Sequence, residues 1–420
     1  MAQPHPVPAT ERLESLDVLR GFALLGILAM NIRAMGAPFG AYMYPYALWD
    51  YVGASRAAYI LTSILFDLKM MGLFSMLFGA GVLLYAAKPT ESGRPPRGLW
   101  FRRMFWLLII GLVHAYLIWD GDILVPYALC GLLVLWWARR LPAWGLLVAS
   151  LVFLTIGAAL NLGHGLSWES MPEADRARQA AIWMPTREQA REQLGTLQGG
   201  YLEIVAHRAP FVFMAQTVYF VAFFLWRCAG MMLLGMALFK WGFLDGRRSD
   251  RAYAMTAVIC LLLGWSLAAY GVVGLERLRF AMPDRTIADL WNYAGAALAS
   301  VGYAAALVLM VRRGVLQGLR RRLAAIGQMA FSNYLFHSIA TAIIFLGWGF
   351  GFAGRLDYAQ QFLVVAAIWA FQLVASPLWL ARYRFGPAEW AWRSLTYWER
   401  QPIRRDTPGR SPLGGTTAPV

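Results

Sequence analysis

The sequence predicts an all-α fold: a polytopic transmembrane helical bundle of about ten spans, with both termini cytoplasmic. Three observations carry that expectation. Hydrophobic residues fill 59% of the 420 positions and charged ones 15%, with mean hydropathy +0.49, a balance unlike that of a soluble domain. The apolar residues gather into runs approaching the roughly 20 residues that a bilayer core requires. Lysine and arginine collect in alternate connecting segments, the bias that keeps a loop in the cytoplasm.

Taken in order, the runs fall at about 16–35, 68–87, 100–119, 122–138, 142–162, 210–240, 252–274, 287–311, 324–350 and 360–381. Residues 1–15 form a polar, proline-broken N-terminal tail, and no small-residue cleavage site follows the first run, which is expected to be retained. Between the first two runs, residues 36–67 are rich in Tyr, Trp, Gly and Pro, as an outer interfacial segment would be. Residues 163–208 carry five arginines against six acids and are expected to form amphipathic pieces on the extracytoplasmic side. The spans thus divide into an N-terminal bundle, 16–162, and a C-terminal bundle, 209–399, that ends in an interfacial segment. A tail, 400–420, reads as disordered. Arg12, the Lys88–Arg103 loop, Arg139 and Arg140, the Lys240–Arg251 loop, the Arg312–Arg322 loop and the arginines after Arg382 all fall on one side of this layout.

The same distribution excludes several function classes. The net charge of +15 sits in short loops without a basic, aromatic-interleaved face, so no nucleic acid is expected as a partner. Cys130, Cys228 and Cys260 lie inside apolar runs with no CxxC pair, and no metal site is expected. Walker A, HExxH, GxSxG and dinucleotide-binding signatures are missing.

What remains is polar groups placed inside the membrane, where they are costly and usually functional. On the first helix, Arg20 and Asn31 are eleven residues apart and share a face, about 16 Å apart along the axis. Asp17 lies one turn from Arg20, within ion-pair reach. Gln216 and Arg227 repeat the eleven-residue step, and Arg227, too deep to snorkel, needs an anion: Asp17 or a ligand phosphate. Asp67 and Lys69 flank the outer end of the second helix, while Gly72, Gly79 and Gly81 allow close approach of another helix or of a second copy in a homo-oligomer. His114 is the best titratable candidate, with Asp120 or Asp122 to orient its ring; Asp122 alternatively caps the next helix. Asn333, His337 and Thr341 make one polar stripe, and Gln372 and Ser376 another, readable as interhelical glue or as a substrate path.

Several strings together resemble a known family. They are "RLESLDVLRGFALLGILAMNI", "KMMGLFSMLFGAG", "FRRMFWLLIIGLVHAYLIWDGDILVPYALCGLL" and the blocks from "IGQMAFSNYLFHSI" to "RYRFGPAEWAWRSLTYW". In order and spacing they resemble the YeiB-like family of bacterial inner-membrane proteins, a domain-of-unknown-function group. That family looks like a branch of a wider transmembrane acyltransferase group, which includes membrane glycan O-acyltransferases and the lysosomal enzyme that acetylates heparan glucosamine. The resemblance implies an acyl-CoA donor, acetyl-CoA or a longer one, bound from the cytosol. The acyl group would pass to a small-molecule or glycan acceptor across the bilayer, among membrane lipids, in the bacterial cytoplasmic membrane. Arg20 matches the arginine that opens the first helix of the O-acyltransferases, but Asn31 stands where their catalytic histidine does, and residues 32–67 contain no histidine. The expected site is therefore His114 as base with Asp122 behind it, Asn31 and Lys69 at the oxyanion, and Arg20 with Arg102, Arg103 or Arg227 on the CoA phosphates. Gln216, Asn333 and His337 would line the substrate path. The alternative reading is a transporter or flippase of a small polar or lipid-linked solute, using the same residues without chemistry. A structural or regulatory membrane subunit is the third.

Overall fold

The computed structural model describes residues 9–87 and 96–405, with side chains from Glu14 to Ala87 and from Arg97 to Arg405; the expectations for the N-terminal tail, the Lys88 loop and the disordered tail fall largely outside them. Among the described residues the chain is helical throughout, with a single isolated bridge between Tyr383 and Arg404. Helix α1 spans Ala9–Met35, α2 Phe39–Met43, α3 Gly53–Leu65, α4 Lys69–Ala87 and α5 Pro96–Leu117. They are followed by α6 (Leu124–Ala138), α7 (Ala143–Leu166), α8 (Glu173–Trp183), α9 (Arg187–Leu197) and the long α10 (Tyr201–Lys240). The chain closes with α11 (Asp250–Arg277), α12 (Arg285–Arg312), α13 (Gln317–Gln328), α14 (Ala330–Phe345), α15 (Tyr358–Arg382) and α16 (Pro387–Tyr397).

Eight segments among the described residues are long and apolar enough to cross a membrane. The expected runs at 122–138 and 324–350 become the shorter apolar helices α6 and α14, the latter after α13 has turned away at Met329. Residues 36–67, expected as an outer interfacial segment, are partly helical. Their second half is α3, joined to α4 through Phe66–Leu68 as one 35-residue apolar stretch. Leu68 adopts φ +59, a conformation that L-residues avoid, so the joint is a strained break. Side chains that would be buried in a soluble protein face outward on α10, α11 and α15, where Leu202, Leu263 and Leu363 are 78%, 52% and 72% exposed. A membrane, whose tails are themselves apolar, accepts such a surface.

Without a hydrophobic drive between helices, packing rests on close approach. A Cβ at Gly79 would overlap the Met232 carbonyl, and one at Gly235 the Met76 carbonyl, so α4 and α10 meet backbone to backbone. Gly21 and Gly327 do the same for α1 and α13. The small residue at position 79 is used as its spacing suggested, whereas Gly81 faces open space. The C-terminal α16 lies against this frame. Glu389 accepts hydrogen bonds from the Phe331 and Ser332 amides and from the Ser332 hydroxyl, so a carboxylate from α16 caps the N-terminus of α14. The thiols of Cys130 and Cys228 are buried and free, that of Cys260 half-buried and free.

Candidate functional site

Among the described residues, the candidate site residues fall into three polar assemblies and one interhelical network. The first is built around His114, three residues before the end of α5. Its Nδ1 lies 2.8 Å from Asp122 Oδ1 and its Nε2 2.9 Å from Ser338 Oγ on α14. All three residues are buried, His114 fully. The other carboxylate oxygen, Asp122 Oδ2, accepts the Val125 amide at 2.8 Å in the first turn of α6. Orientation of the histidine and capping of the next helix, posed as alternatives by the sequence, are both done by one side chain. An ionised carboxylate only accepts, so Nδ1 carries the ring proton and the Nε2 lone pair receives the Ser338 hydroxyl. The rings of Tyr334 and Trp119 pack beside the imidazole, with centroids 5.1 and 6.4 Å away. A cleft of about 160 Å³ is walled by residues that follow the triad in sequence, Tyr116, Leu117 and Ile118 after His114 and Ile339 and Ala342 after Ser338, while His114 and Ser338 themselves stay buried behind it. Arg208 stands in the same wall, 3.8 Å from Asp120.

The second assembly lies at the start of α4. Lys69, fully buried, donates to the Ser63 carbonyl at 2.8 Å and to Asn292 Oδ1 on α12. Asn292 Nδ2 reaches Asp67 at 3.4 Å, and the other oxygen of Asp67 accepts from Tyr42 at 3.2 Å. Arg33 enters from α1, its guanidinium over the rings of Tyr42 and Tyr59 at 4.8 and 4.5 Å and one nitrogen 3.3 Å from Ser63 Oγ. Arg227 enters from α10, just past a π-helical stretch, Phe220–Phe224. It donates to the Tyr293 carbonyl at 2.9 Å and lies over the Tyr293 ring at 4.4 Å. Arg33, Arg227 and Asp67 are all close enough to Lys69 for their charges to act on it. Desolvation also holds the Tyr42 phenol, outside the spans, well above its ordinary range.

The third assembly sits at the other end of α1. Asp17 and Arg20 pair at 2.9 Å. Arg103 stacks on Trp392 at 3.6 Å, and the charges of Arg20 and Arg393 reach it. Arg102 donates to the Thr396 carbonyl at 3.2 Å and faces Trp398 at 4.6 Å. This corrects two expectations. Arg227 does not meet Asp17, which is taken by Arg20, and it does not join Arg20, Arg102 and Arg103. Arg20 and Arg33, thirteen residues apart on α1, separate the two cation groups by about 20 Å.

The remaining candidates divide. Asn31 is half-buried and makes no side-chain hydrogen bond among the described residues, so the deep polar role on α1 belongs to Arg33, two residues on. Lys69 is inside the bundle rather than at a helix mouth, but shares no hydrogen bond or ion pair with His114. The Gln216 Nε2 is buried and has no hydrogen-bond partner among the described residues. Asn333 bonds Ser376 at 3.1 Å and accepts from Gln372 at 3.2 Å, and His337 Nε2 meets Gln372 at 2.9 Å, so the two stripes lock α14 onto α15. Sequence reasoning passed over Ser338 and Arg33. Ser338 follows His337 directly and was hidden by it; Arg33, one turn from a helix end, had the look of a snorkelling residue.

With this geometry in hand, comparison with known proteins adds relatedness. The profile of a family described as "Protein of unknown function (DUF418)" matches residues 238–399. YxaH of Bacillus subtilis (strain 168) is 29% identical, the alignment covering 97% of this chain and 100% of that protein. YeiB of Escherichia coli (strain K12) is 30% identical over 92% of this chain and 96% of its own. An uncharacterized 39.9 kDa protein from the amylase 3' region of Bacillus acidopullulyticus is 27% identical over 95% and 97%. YxaH and YeiB are likewise described as uncharacterized.

Proposed function

The chain belongs to the YeiB-like DUF418 family, and we propose that it is a membrane-embedded acyltransferase of the bacterial cytoplasmic membrane, carrying an acyl group from a cytosolic acyl-CoA to a hydroxyl or amine on the extracytoplasmic side. The observation that carries this reading is the line Asp122–His114–Ser338. It presents a basic imidazole nitrogen, fixed in one tautomer, to a hydroxyl inside a dry helix bundle. In this reading the acceptor hydroxyl takes the place that Ser338 Oγ now marks, reached through the cleft next to Ile339. His114 removes its proton as the oxygen attacks the thioester carbonyl. The new ester bond forms, the carbon–sulfur bond breaks, and the imidazolium returns the proton to the leaving thiolate. Arg20 and Arg103, at the end of α1 where both termini would face the cytoplasm, would hold the CoA phosphates. If the shorter apolar helices α6 and α14 cross as well as the eight longer segments, both termini would lie on that side.

The test is acyl-CoA binding and CoA release by detergent-purified protein, with acetyl-CoA and longer donors. Donor-dependent stabilisation and slow CoA release are expected, both weakened by Arg103→Gln. No binding of any acyl-CoA would overturn the reading. Acceptor movement across vesicles without CoA release would favour the carrier.

A further inference from the structure

The cluster around Lys69 contains more cation than the protein neutralises. Among the described residues, four cations, Arg33, Lys69, Arg227 and Arg285, are buried there, with only the half-buried Asp67 and Asp289 as carboxylates; Tyr59 lies within electrostatic reach of Arg33, Arg285 and both acids. Arg285 pairs with Asp289 at 3.3 Å, and Asp67 is held by Tyr42 and Asn292. Counted as formal charges, two cations are left without an anion.

The donors are unspent as well. Among the described residues, Arg227, fully buried, uses only Nη1, and its Nε and Nη2 have no hydrogen-bond partner. Those two nitrogens form the side edge of the guanidinium fork. In this same protein, Arg56 uses that edge to grip both oxygens of Glu276 at 2.7 and 2.9 Å. Arg33 Nε and Arg285 Nη1 are likewise buried with no hydrogen-bond partner among the described residues. A buried, unpaired guanidinium is too costly to persist for packing alone. The backbone is irregular on both sides of it: Leu68 is strained next to Lys69, and the π-helical stretch precedes Arg227.

We propose that this cluster is an intramembrane binding site for a doubly charged phosphate group, gripped by the free edge of Arg227 and neutralised by Lys69 and Arg33. A dianionic phosphate supplies the two missing charges and several acceptor oxygens, whereas a single carboxylate supplies one charge. Asp67, Asn292 and Asp289 are half-buried, which leaves this side of the cluster partly exposed. The site lies about 20 Å from Arg20 along α1 and stands independently of acyl transfer.

The test uses the full chain in a phosphate-free detergent, titrated with inorganic pyrophosphate, with short-chain phosphatidic acid and with succinate. Calorimetry and thermal midpoint are the readouts. A phosphate probe is expected to bind and raise the midpoint, succinate to do so far less; preference for phosphatidic acid would identify a lipid headgroup, preference for pyrophosphate a soluble ligand. Arg227→Met should weaken phosphate binding roughly ten- to hundredfold, the loss of charge-assisted hydrogen bonds. The same substitution should raise the midpoint of the ligand-free protein, because it removes an unpaired buried charge. Arg227→Lys, which keeps the charge without the fork, should fold and bind weakly. Arg103→Gln should leave pyrophosphate affinity unchanged while acyl-CoA binding falls, which separates this site from the one proposed for CoA. No phosphate binding, equal binding of succinate, or a ligand-free Arg227→Met protein that melts earlier would each overturn the proposal.

Discussion

The His114 and Lys69 centres are both buried and both built from several helices, yet they are opposite in character. Around His114 each polar atom has a partner: Asp122 takes the ring proton and the Val125 amide, and Ser338 fills Nε2. Around Lys69 the donors outnumber the acceptors, and Arg227 keeps an empty edge. A satisfied centre holds a fixed geometry at low cost and suits proton transfer. An unsatisfied one stores the cost of desolvation until a ligand relieves it, which suits binding. The difference teaches that burial alone does not identify function; the balance of donors and acceptors does.

That contrast is open to attack at several points. The largest expected effect is His114→Ala, which removes the base and should lower acyl transfer by about a hundred- to ten-thousandfold, measured as CoA release at saturating donor. Full activity in that variant would leave the satisfied centre purely structural. Asp122→Ala strands both the imidazole Nδ1 and the Val125 amide, each worth about 1–3 kcal/mol when left unpartnered in the interior. Its thermal midpoint should therefore fall, whereas that of Arg227→Met should rise; two shifts of the same sign would erase the distinction between the centres.

Smaller effects refine it. Gln372→Ala loosens the α14–α15 lock and should cost about 0.6–2 kcal/mol, read by denaturation in detergent. If the variant instead loses transfer with stability unchanged, Asn333 and His337 belong to a substrate path rather than to glue. Smallest is a pH effect at Glu389, outside the spans. Burial raises its carboxyl above the ordinary 4.5, against the pull of the Ser332 and Phe331 hydrogen bonds. With the folded value raised, its contribution to stability is full below about pH 4.5 and fades as pH climbs through the folded value. Glu389→Gln should flatten that decline, seen as a midpoint nearly constant over the same interval; an unchanged slope would assign the dependence elsewhere.

The amount legible in the sequence differs between the two centres for a physical reason. His114 and Asp122 are eight residues apart across one tight turn, so local spacing brought them together on paper. The Lys69 cluster draws on α1, α4, α10 and α12, separated by dozens to hundreds of residues, and no spacing rule connects Arg33 to Arg227. Asp17 was the nearest anion that sequence reasoning had for Arg227, and the fold gave Asp17 to Arg20 instead.

By itself, the sequence determined that this is a helical membrane protein, because the length and apolarity of its runs answer to the thickness and dryness of a bilayer, not to any neighbour. It also narrowed the partner of His114 to Asp120 or Asp122, a local choice that the fold then made. Only the tertiary structure decided that Ser338 completes that pair, that α3 and α4 are one broken helix, and that Arg33, Lys69 and Arg227 converge. Those outcomes depend on which helix faces which, and that was set by backbone approach at Gly79 and Gly235 and at Gly21 and Gly327. Apolarity makes a helix enter the membrane, but in lipid it does not choose the helix's partners.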